Sequence, residues 1–567
     1  MNYELKRLIS GIFFSCLLIP VGAVIISHKT IFEWLMRSED IYRIGTIVGE
    51  SLIRFEFVRQ SAYKLGTSHF EVAIALLMYC IFALGSFLLW RAYLSTVIHP
   101  SEEGAHESGP VLLTRKHAIK HLANFLKKEK TRTGFAIHPS LKLSSKLEAL
   151  NTLVFGMQGA GKSTLIKQWL LQIVGRKNCK CFIYDEKGEY QELLINESNT
   201  TMLSVEEQSH YWDIGSDIEN MDTAELVAHA LIEDSSDEHD FFVNSARNVL
   251  IGVFYYLIKH KDGWSWTELS ALLFCSDEEL KEAILEVFPP AASIIIPESK
   301  MTQSVRALIS AQLSWVSSMP NVENLRPFSI SKWLKSNSHK RNIVLKASSK
   351  KPAKSRSLVS SMMTIITNSL LDMPDSKKRQ VWMVLDELGN LPKSPALKRW
   401  LSLSRSKGGR MIAGTQNTSM MQEVYGKAST ESILSLFGIV VAMRLGASGA
   451  SSETASQALG NCRVKQPNET IQSDGSRSIG YTTQEIPVVP KEDIVHLPLA
   501  NSSGVEGYLL VGGSEAVYRL KWPYPKIPPQ LSISCQKNSG FSKKVTAKKD
   551  GLRSKNRLNR RPIQKDK

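Results

Sequence analysis

The chain has 567 residues, which is enough for more than one domain with its own core. Its seven cysteines are scattered and form no C-x-x-C pair, which argues against a disulfide framework or a zinc site and fits a mostly reduced, cytoplasmic body. The formal net charge of +16 is unevenly spread, because residues 537–567 carry twelve Lys or Arg against two Asp.

Two apolar stretches near the N-terminus predict a membrane anchor. Residues 8–26 and 72–90 each run for 19 residues without a formal charge, close to the ~20 residues that cross a bilayer as a helix. The first also resembles a signal peptide, because Lys6 and Arg7 precede it, but a second span follows. We expect a two-span hairpin with residues 27–71 outside the cytoplasm, an orientation that the Lys and Arg counts support poorly.

Residues 156–163 read G-M-Q-G-A-G-K-S, a complete G-x-x-x-x-G-K-[ST] phosphate-binding loop. A short apolar strand, residues 152–155, precedes it, and a helical run, residues 164–174, follows. In this context the backbone N–H groups and the helix N-terminus attract phosphate. We expect Lys162 to reach the β- and γ-phosphates of ATP and Ser163 to ligate Mg²⁺. The predicted nucleotide-binding residues are Gly156, Met157, Gln158, Gly159, Ala160, Gly161, Lys162, Ser163 and Thr164.

Residues 222–328 read largely helical and predict an all-α insertion. The clearest helical runs are residues 224–232, 241–258, 266–273 and 278–287. Lys162 and the acidic motif at Asp386 are separated by 224 residues. A minimal ATP-driven motor needs only part of that length, which leaves room for an inserted subdomain. The surface of such an insertion is a candidate for contact with cargo.

A second acidic motif makes the phosphate-binding loop part of an ATPase. Residues 381–385 predict a buried strand that ends in Asp386 and Glu387, at the carboxyl end where open α/β sheets place their ligands. We expect Asp386 to hold the Mg²⁺ shell and Glu387 to orient or deprotonate the attacking water. An acidic turn after a strand is common alone, but its pairing with the loop favours catalysis.

Three further apolar runs fit the same sheet, and each ends at a polar residue: 181–184 before Asp185, 410–414 before Thr415 and Gln416, and 439–443 before Arg444. Gln416 is a candidate γ-phosphate sensor, because an amide can bond a phosphate oxygen or the attacking water. Taken alone, it is more often an ordinary polar group at a strand end.

The predicted fold class is α/β: a P-loop ATPase core with an inserted all-α subdomain, preceded by two transmembrane helices. The predicted domains are a membrane anchor at 1–95, a nucleotide-binding domain at 96–221 and 329–525, the insertion at 222–328, and a basic disordered tail at 526–567. The basic tail is suited to bind nucleic acid or anionic lipid headgroups, and its sequence does not distinguish between these two ligands.

The order of these motifs resembles the TraD/TraG-type coupling proteins of type IV secretion and conjugation systems. The resemblance runs from residue 1 to about 525. It rests on the two spans, residues 148–151 before the loop, residues 184–189, Phe241-Phe242 and Ala246-Arg247 in the insertion, and residues 385–387 and 414–416. Two features depart from the family: Glu186 stands where many relatives have Pro, and the basic tail differs from the acidic partner-binding extension of some TraD proteins.

The resemblance implies a hexameric, RecA/FtsK-like ATPase of the bacterial inner membrane that couples the DNA–relaxase complex to the secretion channel. Its cofactors would be ATP and Mg²⁺, and its partners DNA without sequence preference, the relaxosome and the channel proteins. It also implies that the helical run 396–403 ends at a subunit boundary. Arg405 is therefore a candidate arginine finger acting in trans; the alternative is a surface arginine in a basic run with Lys407 and Arg410.

Two other functions stay open. A chromosome-type DNA translocase usually has more spans and a C-terminal winged helix, for which residues 532–567 are too short and too polar. A membrane receptor for protein cargo would bind ATP only structurally, which the complete set of ATPase residues disfavours.

Overall fold

The fold is taken from a computed structural model. The structure describes Gly85 and residues 105–524, apart from residues 129–133, 195–197, 205–209, 234–240, 320–324, 337–338, 340, 448 and 472–476. The predicted membrane hairpin, Gly85 aside, and the basic tail lie outside the described residues.

Strands and helices alternate along most of the described chain. In chain order the strands are β1 (Ala105–Ser108), β2 (Val111–Thr114), β3 (Ala136–His138), β4 (Leu141–Lys142), β5 (Thr152–Phe155), β6 (Cys179–Asp185), β7 (Thr200–Ser204), β8 (His210–Trp212), β9 (Arg326–Phe328), β10 (Asn342–Lys346), β11 (Gln380–Leu385), β12 (Gly409–Thr415), β13 (Ile439–Ala442), β14 (Asn461–Ile471), β15 (Arg477–Pro487), β16 (Val505–Val511) and β17 (Ala516–Trp522). The α-helices are α1 (Arg115–Lys127), α2 (Ser145–Glu148), α3 (Lys162–Val174), α4 (Glu189–Leu194), α5 (Ile214–Asp217), α6 (Met221–Leu231), α7 (Phe241–His260), α8 (Trp266–Leu273), α9 (Asp277–Val287), α10 (Pro289–Ala292), α11 (Lys300–Leu313), α12 (Ile330–Lys335), α13 (Pro352–Leu371), α14 (Pro395–Leu403), α15 (Thr418–Tyr425), α16 (Lys427–Leu434), α17 (Ala450–Leu459) and α18 (Lys491–Val495).

A ten-stranded sheet carries the fold, in the order β2–β17–β16–β13–β5–β12–β11–β6–β10–β7. From β13 to β7 all neighbours run parallel, so the carboxyl ends of these strands meet at one edge. Strand β16 is antiparallel to β13 and to β17, and β17 runs parallel to β2. The α/β class is confirmed, and the parallel half of the sheet places a potential ligand site at its carboxyl edge.

The parallel strands are buried on both faces, which is why they read as unbroken apolar runs in the sequence. The side chains of Leu153, Val154 and Phe155 in β5 are fully buried, as are all five from Val381 to Leu385 in β11. The predicted strands are confirmed with small changes of bounds, for example 181–184 within β6 and 410–414 within β12.

A buried ion-pair cluster ties together the opposite, amino edge of the sheet. Glu148 is fully buried, and its carboxylate accepts hydrogen bonds from Arg176 at 2.8 and 3.1 Å and from the backbone N–H of Phe135. The Nε atom of Arg410 lies 3.8 Å from the same carboxylate. Because Glu148 ends α2, Arg176 follows α3 and Arg410 lies in β12, the cluster joins three parts of the chain at this edge of the sheet.

Helices α5 to α11 lie between β8 and β9 in the chain, and these two strands pair in parallel as a separate small sheet. The predicted helices of this region are confirmed as α6, α7, α8 and α9. Helix α7 packs closely on α9, since a Cβ on Gly252 would lie 2.6 Å from Cγ2 of Ile284. Within the described residues, α7 alone has the length and apolarity to cross a membrane, yet 67% of that stretch is buried inside the protein.

By internal contacts the chain divides into two units. The smaller holds residues 1–106 and 464–484, whose described part includes most of β14 and β15; the larger holds residues 107–463 and 485–567. The larger unit contains both the ten-stranded sheet and the helices between β8 and β9. The nucleotide-binding domain predicted from the sequence, 96–221 and 329–525, includes residues 464–484.

Candidate nucleotide-binding and catalytic site

The phosphate-binding loop joins β5 to α3, as the sequence predicts, and α3 begins at Lys162, two residues before the predicted start. Gly159 and Gly161 have φ angles of +79° and +97°, the left-handed region that glycine adopts without strain. A Cβ on Gly161 would lie only 2.5 Å from Cγ2 of Val505, so glycine is also required by space. Such a loop forms a concave set of N–H groups that suits phosphate oxygens.

Neighbouring strands hold this loop through backbone hydrogen bonds. The N–H of Gly156 donates to the carbonyl oxygen of Thr415 at 3.1 Å, and the N–H of Met157 donates to that of Arg444 at 2.9 Å. Thr415 ends β12 and Arg444 follows β13, the two strands that flank β5. The loop is thereby fixed at the carboxyl edge of the sheet.

Lys162 meets both acidic residues at the end of β11. Its Nζ atom donates to Oε2 of Glu387 at 3.0 Å and to the backbone oxygen of Asp386, and it lies 3.7 Å from Oδ1 of Asp386. The exposed fractions of the three residues are 4%, 4% and 2% for Lys162, Glu387 and Asp386. One ammonium thus faces two buried carboxylates, which leaves a net negative local charge that favours binding of a cation.

Ser163 and Asp386 form an oxygen donor pair beside the loop. The Ser163 hydroxyl lies 3.3 Å from Oδ2 and 3.5 Å from Oδ1 of Asp386. Hydroxyl and carboxylate oxygens are hard ligands of the kind that Mg²⁺ prefers. The donor set and the glycine cradle therefore fit a magnesium–nucleotide complex.

Gln416 reaches Glu387 through its backbone rather than its side chain. Its N–H donates to Oε1 of Glu387 at 3.1 Å. Just before it, a Cβ on Gly414 would lie 2.4 Å from the backbone oxygen of Asp386 and 2.9 Å from Cδ of Lys162. The end of β12 therefore passes so close to both ATPase motifs that only glycine fits.

Asp185 and Tyr190 lie close enough to Asp386 to interact with its charge. The Asp185 carboxylate accepts the backbone N–H groups of Gly188, Tyr190 and Gln191 at 2.9, 2.9 and 2.6 Å, which fixes the start of α4. Burial raises the pKa of Asp185, and the charge of Asp386 adds to the effect. Burial and Asp386 together also raise the pKa of Tyr190. Sequence reasoning missed Tyr190, since no motif singles it out.

Glu186, the departure from the family pattern, also contacts the acidic edge. Its carboxylate accepts a hydrogen bond of 2.5 Å from Asn390, in the 3₁₀ turn that follows Glu387. A cleft of about 820 Å³ opens here and is lined by Tyr184, Arg356 and Tyr425 among others. This cleft borders the acidic motif on the side away from the P-loop.

Arg405 is not brought to the site within one subunit. It is exposed in the turn between α14 and β12, at the amino edge of the sheet. The seven residues of β12 separate that edge from the carboxyl edge, a span of about 20 Å at ~3.3 Å per residue. Arg410, assigned to the same basic run, is buried against Glu148 instead. The trans role of Arg405 stays a prediction.

Fold and site together define a P-loop nucleotide-binding protein whose loop and acidic strand end meet on one α/β sheet. Residues 136–521 match the family described as the type IV secretion-system coupling protein DNA-binding domain. The match covers more than half of the chain, so the chain belongs to this family, and the predicted resemblance is confirmed.

Similar proteins agree with this assignment. The chain is 23% identical over 428 residues to the coupling protein TraD of Escherichia coli (strain K12), covering 73% of this chain and 58% of TraD. It therefore spans less than two thirds of that relative's length. The fold is similar to that of the bacterial conjugative coupling protein TrwBdeltaN70 in its unbound form, with a TM-score of 0.63, 20% identity and coverage of 75% of this chain and 97% of that solved chain. TrwB in complex with ADP and Mg²⁺ has a TM-score of 0.62, 20% identity and coverage of 76% and 97%.

Proposed function

We propose that the chain is an inner-membrane ATPase that couples a DNA–relaxase complex to a type IV secretion channel and drives DNA transfer by ATP hydrolysis. The observation that carries the proposal is the pairing of the P-loop with the acidic motif at the carboxyl edge of the sheet, where Lys162 bonds Glu387 and Ser163 bonds Asp386. Membership of a DNA-binding coupling-protein family supports DNA as the transported polymer.

Each residue of the site has a role that follows from its position. The loop from Gly156 to Thr164 would hold the phosphates, and Ser163 with Asp386 would hold Mg²⁺, as the complex of TrwB with ADP and Mg²⁺ supports. ATP supplies the phosphoryl group whose transfer to water releases the free energy. Glu387 would accept a proton from that water at its carboxylate.

Gln416 would report the state of the site to the rest of the chain. Because its N–H holds Oε1 of Glu387 at 3.1 Å, a displacement of that carboxylate reaches the end of β12 directly. Helix α15 begins two residues later, at Thr418. This connection is a short mechanical path from the catalytic carboxylate to a helix.

The remaining parts of the proposal rest on the sequence and the family. They are the two membrane spans, the homo-hexamer, the relaxase and channel partners, and non-specific DNA contact by the basic tail. Deletion of residues 537–567 should reduce the salt dependence of DNA binding, because each Lys or Arg on a phosphate steepens the log–log slope by ~0.7–0.9.

ATP turnover by the full-length protein, with and without single-stranded and double-stranded DNA, tests the proposal. We expect turnover that DNA stimulates and that Glu387→Gln abolishes. Nucleotide binding without turnover on either DNA would instead identify a receptor that binds ATP structurally. Transfer assays test the alternative that the protein is a chromosome-type DNA translocase. In that case Glu387→Gln would impair chromosome segregation and leave conjugative transfer intact.

A further inference from the structure

Tyr190, in helix α4, has a buried hydroxyl group that lacks a hydrogen bond. The residue is 1% exposed, and its hydroxyl oxygen makes no hydrogen bond with any residue that the structure describes. Several other buried side-chain atoms in the described chain share this lack. A buried polar group without a partner is costly, because it has given up its hydrogen bonds to water. The surroundings of this hydroxyl therefore decide whether it has a use.

The hydroxyl of Tyr190 faces the carboxylate of Asp386. The charge of Asp386 acts on this hydroxyl more strongly than the charges of Asp185 and Glu189 do. The position of Tyr190 is set at the start of α4, where its backbone N–H donates to Oδ2 of Asp185 at 2.9 Å. Asp185 ends β6 and Asp386 follows β11, and these two strands are neighbours in the sheet. The fold itself therefore brings the tyrosine to the acidic motif.

Helix α3 covers the ring of Tyr190. Nζ of Lys167 lies 5.9 Å from the centre of the ring and pairs with Oε2 of Glu189 at 2.5 Å. A cation over an aromatic ring is attracted to it. Lys167 comes about one helical turn after Ser163, whose hydroxyl lies beside Asp386. One helix thus carries both an expected magnesium ligand and the cation that packs on the tyrosine.

The carboxylate of Asp386 has room for a further donor. The Ser163 hydroxyl lies 3.3 Å from its Oδ2, and Nζ of Lys162 lies 3.7 Å from its Oδ1. An ionised carboxylate offers about four acceptor sites, and a tyrosine hydroxyl can donate one hydrogen bond. A donor from Tyr190 can therefore be added while a site remains for a metal ion.

We propose that Tyr190 is a positioning residue of the magnesium site: its hydroxyl donates to the carboxylate of Asp386 and holds it in the orientation that ligates Mg²⁺. The inference rests on the nucleotide binding proposed above and adds a residue to that site. Because the hydroxyl faces the carboxylate without bonding it, a rotation of the Asp386 side chain completes the contact. Groups that hydrogen-bond a metal ligand orient it, and their removal typically lowers metal affinity about 10–100-fold.

Tyr190→Phe in the full-length protein tests this role, because the change removes only the hydroxyl oxygen. The measurements are binding of a non-hydrolysable ATP analogue across a series of Mg²⁺ concentrations, and thermal melting of the protein without nucleotide. We expect the Mg²⁺ concentration for half-maximal binding to rise about 10-fold or more. The melting temperature should stay the same or rise, because the lost oxygen has no partner among the described residues.

Tyr518→Phe is the matched control. Tyr518 is fully buried in β17, and its hydroxyl lies 3.1 Å from Nδ1 of His121. Removal of this partnered oxygen should lower the melting temperature and leave the Mg²⁺ requirement unchanged. The two variants should therefore show opposite patterns.

Three results would overturn the role of Tyr190. An unchanged Mg²⁺ requirement in Tyr190→Phe would show that the hydroxyl does not act on Asp386. An equal loss of affinity with and without Mg²⁺ would show that Tyr190 only supports the phosphate-binding loop. A much lower melting temperature, or failure to fold, would show that the hydroxyl is needed for the fold. If the unaltered protein binds no analogue at any Mg²⁺ concentration, the proposed ATPase is wrong, and this role with it.

Discussion

Nζ of Lys162 lies 3.0 Å from Oε2 of Glu387, and both side chains are almost fully buried. The lysine expected to contact phosphate and the carboxylate expected to act on water are therefore partners in one hydrogen bond. Removal of one member of a buried pair leaves the other charge uncompensated. The two residues should consequently give different defects when they are replaced.

Lys162→Ala should lose nucleotide affinity and also lower the melting temperature, because Glu387 and Asp386 keep their charges without the ammonium between them. Glu387→Gln keeps an oxygen that can accept from Lys162, so the variant should bind nucleotide normally. Its turnover should fall about 100-fold or more, the usual effect of removing a general base. Binding of a non-hydrolysable ATP analogue, turnover and thermal melting separate the two variants; wild-type turnover in Glu387→Gln would show that the base is misassigned.

Gly414→Ala should abolish nucleotide binding while the protein remains folded. A methyl group at this position would lie 2.4 Å from the backbone oxygen of Asp386 and 2.9 Å from Cδ of Lys162, so both motifs must move apart. Gly175→Ala is a suitable control, because Gly175 has helical backbone angles and its Cβ would meet nothing closer than 3.8 Å. Nucleotide titration and circular dichroism test the pair; tight binding by Gly414→Ala would contradict this packing.

The sequence predicts the loop and the acidic strand end because the signals of both are local. The loop and the strand that ends at Asp386 and Glu387 are contiguous motifs, and parallel strands buried on both faces are unbroken apolar runs. Pairing over long separations has no such signal: β2 joins the sheet through β17, about 400 residues later in the chain. The contact of Ala500 with Gly159 arises in the same way.

Charge in the sequence was the least reliable guide to exposure. Lys407 and Arg410 belong to one basic run, yet Arg410 is 4% exposed and lies beside Glu148. Glu148 has no local signal as an ion-pair partner, because a carboxylate 262 positions before Arg410 cannot be recognised from the neighbouring sequence. Such buried pairs are visible only once the fold brings their elements together.

Glu148→Gln should destabilise the protein strongly. The change leaves Arg176 and Arg410 near a neutral amide at the amino edge of the sheet, and breaking a buried ion pair in this way costs about 3–5 kcal/mol. Glu286→Gln is the control, since its pair with Lys259 is exposed and should contribute little. Denaturant unfolding measures both; equal stabilities of the two variants would show that the cluster around Glu148 is not important for the fold.

If Arg405 acts in trans, Arg405→Ala should abolish ATP turnover by removing the arginine from the site of the adjacent subunit. Within one subunit Arg405 lies at the edge of the sheet opposite Lys162, so any contact with phosphate must come from an adjacent subunit. A guanidinium that neutralises the charge developing on the γ-phosphate contributes about 10³–10⁵ in rate in other motors. Pure Arg405→Ala and pure Lys162→Ala proteins should therefore both be inactive.

Mixed assemblies of the two variants distinguish a trans finger from a surface arginine. An Arg405→Ala subunit keeps its own Lys162, and a Lys162→Ala neighbour can supply the missing arginine, so mixing should restore part of the turnover. Lys398→Ala, which removes an exposed cation from the adjoining helix α14, controls for general loss of surface charge. Full activity of the pure Arg405→Ala protein would remove the finger, and failure of the mixture to recover would place its defect within the subunit.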